Sequence, residues 1–443
     1  MTTTDMTRTD CDWKETNDMK AVSLHSRNLH STRRHLMMTA LLAATLAGGF
    51  SPVASGASAA DQWPGWLGPN RDGHSPDTGL LKQWPAGGPK LLWKADTIGQ
   101  GWSSVAVVNN RAYTTGYSDG KQMLICLDMN GMIVWRAEYR LTDNHSNYRG
   151  ARSTPTVDGD RIYVTGADGR VTCHKADDGQ PVWKREMIAE LGGKRGNWYY
   201  AESVLVLENL AIVTPGGESG IVALDKATGK EVWKSNVPLT AGYSSCIPIR
   251  AAGNTIVVNC SENGLLAVDA KTGRKVWEND FASGGTQNIA TPAYEDGFLF
   301  WSTRSKGNSV AFKVDSKDGK WSFHEVWRNG SVANKPGNFV VAQGRIYGNG
   351  KGLTCVDLKT GKTLWCVPDV EAGQCCWADG MVYALSSKDG TAFLVQPSVS
   401  GGKVTGKVQV AGRGSFWSHP VVVGGRLYLR YDTNLYCYDV KGK

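Results

Sequence analysis

An eleven-residue segment ending in tryptophan recurs along this chain and constrains its fold more than any other feature. Ala223 to Trp233 reads A-L-D-K-A-T-G-K-E-V-W, Ala267 to Trp277 reads A-V-D-A-K-T-G-R-K-V-W, and Cys355 to Trp365 reads C-V-D-L-K-T-G-K-T-L-W. A looser copy runs from Cys173 to Trp183, and one from Cys126 to Trp135 is a residue shorter. Each copy reads as a strand with a small buried residue, a tight Thr-Gly turn and a second strand. Gly229, Gly273 and Gly361 fall where that turn needs positive φ, which glycine adopts without steric cost. Trp135, Trp183, Trp233, Trp277, Trp327 and Trp365 are 48, 50, 44, 50 and 38 residues apart. Units of that length, each too small to bury its own apolar face, predict a β-propeller.

Eight units fit between Pro89 and the C-terminus, with inner strands beginning near Trp102, Ser153, Ser203, Ser245, Ala290, Asn338, Gln374 and Ser418. Apolar and polar residues alternate throughout and no helical period appears, so the fold class is all-β, an eight-bladed β-propeller. The fifth unit carries an insertion around Asp315–Phe323, and the seventh lacks a closing Trp and reads as a Gly-rich loop over 401–406. The eighth unit stops at its turn, before any Trp strand. Residues 89–93, ending in Trp93, have no other partner and are expected to close the ring and remove an exposed edge. The repeat tryptophans, Trp93 included, read as structural: each indole fills the space between blades and needs a carbonyl for its N–H.

The domain plan is then a leader over 1–60, an arm over 61–88 and the propeller over 89–443. Arg33-Arg34 precedes an apolar run from Leu36 to Phe50, and Ala57-Ser58-Ala59-Ala60 offers a cleavage site. That order is a signal peptide, too short for a membrane span, and its paired arginines resemble a twin-arginine export signal. The mature protein is therefore expected to be periplasmic or secreted, with no integral membrane segment. The arm, rich in Pro, Gly and Trp, is expected to clasp the propeller's outer surface. The first sixty residues hold six Lys/Arg and five Asp/Glu, so the remainder carries +7, spread evenly, which argues against nucleic-acid binding. Cys126, Cys173, Cys355 and Cys437 alternate with alanine at one repeat position and read as small buried hydrophobes. No C-x-x-C spacing supports zinc or covalent haem.

Chemistry in a propeller is expected where the inner strands begin and line the channel. The candidates are Trp102, Arg149, Arg152, Tyr199, Tyr200, Glu202, Tyr243, Gln287, Asn288, Asn338, Cys375, Cys376, Arg413, Trp417 and His419. Aromatics beside arginines can hold a planar anion; they can equally be polar walls around water. His74, His145, His174 and His324 fall in the arm or outer loops and read as surface residues.

Repeats of A-x-D-x-x-T-G-x-x-x-W, eight to a ring, resemble the pyrroloquinoline quinone (PQQ) repeats of quinoprotein dehydrogenases and of non-catalytic relatives such as BamB. The arm, W-P-G-W-L-G-P-N-R-D-G followed by G-P-K-L-L-W, is similar to secreted PQQ-binding-like propeller proteins. The resemblance implies one of two functions. One is a binding or scaffolding module, holding a protein partner or small ligand at the channel mouth and requiring no cofactor. The other is a PQQ- and calcium-dependent dehydrogenase for an alcohol or sugar. In the enzymes a disulfide between adjacent cysteines packs on the quinone, which Cys375-Cys376 resembles, although the enzymes carry theirs early in the chain. By position Glu202 and Asn288 are candidates for calcium, while no channel Asp matches the general base. The chain also lacks the long inserted loops of the enzymes, so the binding module is the favoured reading.

Overall fold

The computed structural model describes residues 62–141, 150–279, 288–303, 309–333, 337–412, 414 and 416–442. The leader, Arg149, Gln287, Arg413 and His145 lie outside these residues. Among the described residues there is no helix; the strands form eight small sheets. Seven are antiparallel four-stranded blades, four consecutive strands running from the channel outward in each of the first six. The seventh adds His74–Ser75 of the arm as a parallel fifth strand beside Gln374–Ala378.

The eighth blade closes the ring as expected. Lys90–Ala95 pairs antiparallel with Asn434–Asp439, with Trp93 opposite Cys437, and so completes a sheet whose other strands come from the C-terminus. The N-terminal strand thus occupies the edge that the C-terminal strands leave bare.

Both faces of each sheet are buried, because alternate side chains point to the two neighbouring blades. The core is accordingly divided into interblade layers. Tyr113, Leu124 and Cys126 of the first blade meet Ile162 and Val164 of the second, and the pattern repeats around the ring. Cys126, Cys173, Cys355 and Cys437 are free and fully buried in these layers. The indole N–H groups of Trp93, Trp183, Trp233, Trp327 and Trp365 each donate to a backbone carbonyl of the following blade, at 2.8–3.1 Å. The turn glycines explain themselves at the same place. Gly229 has φ +71°, and a Cβ there would lie 2.7 Å from the Trp183 ring of the preceding blade. The glycine therefore satisfies the turn and admits the indole together.

Two local expectations, in the seventh unit and in the arm, are corrected, while the insertion of the fifth unit lengthens its hairpin, Ser309–Lys317 with Lys320–Asn329, and puts Phe323 parallel on Trp277 at 4.3 Å. The phenyl ring covers the indole in place of a Thr-Gly turn. The Gly-rich stretch of the seventh unit is a strand, Gly402–Gln409. Its glycines make room for indoles, since Cβ atoms at Gly402 and Gly406 would fall within 2.8 Å of Trp365 and 2.5 Å of Trp84.

The second correction concerns the arm. Its first half crosses the channel and bonds to the inner strands rather than clasping the outside. Trp63 exchanges both backbone hydrogen bonds with Val107 of the first blade, and Pro64 accepts from Val157 of the second. Arg71 reaches Ser203, Val204 and Cys246 of the third and fourth, and Trp66 donates to Thr291 of the fifth. His74 bonds to Val341 of the sixth, Gly73 accepts from Trp377 of the seventh, and Asp77 accepts from Gly425 of the eighth. Only the end of the arm runs outward, where Trp84 bonds to Thr405 and packs on Tyr383. Backbone groups at strand starts have no ladder partner, and the arm provides one. His174, fully buried and bonded to Gly179 and Thr172, is therefore not a surface residue; His74 is half-buried, and His324 is exposed.

Candidate functional site: an aromatic pocket at the channel mouth

The inner strands begin up to four residues later than the sequence suggests, in every blade but the seventh. The residues in between carry serines, threonines and amides whose hydrogen bonds link neighbouring blades. Ser104 N donates to Thr154 Oγ1, Thr154 N to Ser203 Oγ, and Ser203 N to Ser245 Oγ, at 2.8–2.9 Å. Ser245 N donates to Thr291 Oγ1, Asn338 N to Gln374 Oε1, and Ser104 Oγ to the carbonyl of His419. This belt joins the starts of neighbouring inner strands along the channel wall.

Above this belt lies a cavity of about 350 Å³, within the range of small-molecule sites. Trp66, Trp102, Trp198, Tyr243 and Trp417 form much of its wall. Arg152, Ser245, Asn338, Gln374 and His419 contribute the polar groups. Trp102 and Trp417 lie 4.9 Å apart at 38°, and the Arg152 guanidinium sits 5.4 Å from the Trp102 ring. Tyr243 Oη accepts from Trp198 N and donates towards Glu262, which fixes that stretch of wall. Tyr199 beside it holds φ +68°, a conformation a bulky residue adopts only when its surroundings impose it. The arm makes the floor: Trp66 meets His419 edge-on at 4.5 Å.

Of the predicted residues, the pocket brings together Trp102, Arg152, Tyr243, Trp417, Asn338 and His419. It does not include Glu202, Asn288, Cys375 or Cys376. Cys375 and Cys376 are free thiols on one strand and point to opposite faces, one into the layer towards the sixth blade and one towards the eighth. Strand alternation therefore sends both thiols into the core and leaves Gln374 to line the channel. Asn288 is buried and donates to Ser261 O at 2.7 Å. Trp66 and Trp198 were missed. Trp66 belongs to the arm, so no repeat position marks it, and Trp198 precedes the expected strand start.

Glu202 lies behind the wall, 2 % exposed. Its oxygens accept from Thr214 N at 2.6 Å, Thr214 Oγ1 at 3.0 Å, Asn259 Nδ2 at 3.2 Å and Cys246 Sγ at 3.3 Å. Burial pushes its carboxyl up to about 7, against the pull of these bonds and of Arg71. A raised carboxyl pKa means that the folded protein binds the extra proton between pH 4.5 and 7, so stability falls as pH rises through that window. Glu202→Gln removes the ionisation. We expect wild type to lose about 3 kcal/mol of stability between pH 4.5 and 8 that the variant keeps, read from urea midpoints at both pH values. Parallel pH profiles would show that Glu202 stays ionised throughout.

With this geometry in view, comparison with known proteins becomes informative. The family model described as outer membrane protein assembly factor BamB matches residues 85–186 and 120–367. The chain belongs to this family of PQQ-type repeat propellers. No curated protein sequence matches it significantly. Among solved structures, BamB from Moraxella catarrhalis superposes with a TM-score of 0.58 at 15% identity, covering 80% of this chain and 98% of that one. Quinohemoprotein alcohol dehydrogenase from Comamonas testosteroni gives 0.59 at 15%, covering 86% and 81%. Quinohemoprotein alcohol dehydrogenase ADHIIG from Pseudomonas putida HK5 gives 0.60 at 15%, covering 87% and 81%. At such identities the likeness establishes the fold alone, and both functional branches share it.

Do the residues present fit the dehydrogenases' cofactors? The paired tryptophans and Arg152 suit a planar anion such as PQQ. Calcium is a poor fit: the described lining holds no Asp or Glu, and calcium takes oxygen ligands, carboxylates prominent among them. Glu202 is committed to its own four donors. Among the described residues no group of three or more His, Cys, Asp or Glu could hold a metal.

Proposed function

We propose that this protein is an exported binding module that takes a small ligand, or a side chain of a partner, into the pocket at its channel mouth. The observation that carries the reading is the make-up of that pocket: aromatic walls, one arginine and neutral polar groups, with no carboxylate among the described lining residues. Such a site can bind and orient. Among the described lining residues the candidate base is His419, and burial pulls its imidazole down to about 3, which makes it a weak acceptor for an alcohol proton. The basic, apolar and small segments of the leader support export to the periplasm or beyond, and no helix of the described residues is long and apolar enough to cross a membrane.

The test is to saturate the purified protein with PQQ, with and without calcium, and assay dye-linked oxidation of ethanol and glucose. No turnover under either condition is the expected result. Calcium-dependent turnover that Arg152→Ala abolishes would overturn the binding reading in favour of a quinoprotein dehydrogenase.

A further inference from the structure

We propose that the occupant of this pocket is an acidic peptide segment of a partner protein. One apolar or aromatic side chain enters the cavity, and flanking carboxylates lie on Arg152 and Arg195. The inference rests on the partner side-chain reading above and deepens it. Rings and guanidinium groups form a ladder that leads out of the cavity. Trp417 lies 4.9 Å from Trp102, and Arg152 sits 5.4 Å from the Trp102 ring and 6.0 Å from that of Tyr199. Arg195 follows, 4.0 Å from the same Tyr199 ring. All five residues are partly exposed, so a ligand at the mouth can reach them. Trp417, Trp102 and Arg152 line the cavity, whereas Tyr199 and Arg195 lie beyond its lining, in the turn that carries Trp198 and the exposed Lys194.

Charge and reach narrow the ligand. An arginine packed on a ring keeps its N–H edge for a carboxylate, which it binds as a fork. Among the described residues Arg195 pairs with no carboxylate, and its side chain donates to Gly196 O at 3.3 Å. Glu262 nearby accepts from Tyr243 Oη at 3.4 Å. Arg152, Lys194 and Arg195 thus outnumber Glu262 at this side of the mouth and favour an acidic ligand. So few cations argue against a polyanion such as nucleic acid, which brings a charge with every unit. A compact anion filling the cavity would leave Arg195 unused. A chain with one side chain inside passes over the lip and meets both arginines. The backbone carries a second sign: Tyr199 holds φ +68°, where glycine would sit without strain. A bulky ring kept at such a position points to a function, and here it stands between the two guanidinium groups.

The test is selection of a phage-displayed library of random dodecapeptides on the purified protein, followed by fluorescence anisotropy of the enriched peptide made synthetically. Sequences with Asp or Glu beside an aromatic or aliphatic residue are expected. Their binding should weaken several-fold between about 50 and 300 mM salt. Arg195→Glu should weaken it about tenfold or more, and a peptide with Lys in place of the acidic residue should bind that variant better than it binds wild type. Tyr199→Gly should weaken binding about fivefold while its urea midpoint holds, because glycine relieves the left-handed backbone; a merely structural tyrosine would lower the midpoint and leave binding unchanged. Arg152→Gln gives an independent readout if the glycine variant folds poorly. Enrichment of neutral or basic sequences, or binding untouched by the two arginine variants, overturns the acidic-peptide assignment and leaves the binding reading standing. Absence of any enrichment also overturns it, and the turnover assay above then decides between binding module and dehydrogenase.

Discussion

Arg71→Met is expected to lower stability by about 3–5 kcal/mol, the range for breaking a buried, hydrogen-bonded charge site. The Arg71 side chain is fully enclosed, and it donates to the carbonyls of Cys246 at 2.7 Å, Ser203 at 3.0 Å and Val204. It thereby joins the arm to two blades. Methionine fills much of the same space, so what is lost is chiefly hydrogen bonding and charge. Three carbonyls would lose donors, at a cost of roughly 1–3 kcal/mol for each left unsatisfied. Glu202 would lose the positive charge of Arg71 that pulls its pKa down, and its proton affinity would climb further. Arg71 itself sits at φ +59°, so the backbone there is held by these bonds and would relax without them. Urea denaturation of variant and wild type measures the loss. A change below 1 kcal/mol would mean that the arm docks without its arginine.

Trp93→Ala should cost about 3–5 kcal/mol, the usual range for truncating a large packed aromatic. Trp93 lies on the only strand that the N-terminal side contributes to the eighth blade. It packs against Tyr428, covers the turn at Gly131, and donates to Met129 O of the first blade at 2.8 Å. Any other repeat tryptophan joins two blades already joined by continuous chain, whereas Trp93 reinforces the seam where the ring begins and ends. Its loss should therefore raise the unfolding rate as well as lower the urea midpoint. Unchanged unfolding kinetics would show that the seam is held by the strand ladder alone. The two variants also separate two roles of the N-terminal region: Arg71→Met disturbs the pocket floor, while Trp93→Ala leaves it in place.

How much of this was legible beforehand differs between scaffold and site. The blade plan was readable because its signals are local. A Thr-Gly turn, a small residue opposite Trp and a period-two strand each act within a dozen residues, and they repeat. Even ring closure followed from a missing strand and an unpaired one. Candidate pocket residues were half legible. Trp102, Arg152, Tyr243 and Trp417 were found because the starts of inner strands must face the channel. Cys375 and Cys376 point away from the channel because, beyond a strand's first residue, both alternating faces meet a neighbouring blade, and Glu202 turns behind the wall onto Thr214, Asn259 and Cys246.

Strand, turn and blade number thus follow from nearest-neighbour patterning in the chain itself, since each repeat needs only the next one to bury its face. The arm's route across the channel and the floor it gives the pocket have no such local signal. Nor does the meeting of Asn338 and His419, residues far apart in sequence, on one pocket wall. These depend on which carbonyls and indoles are left unpartnered once eight blades have closed, and only the assembled ring decides that.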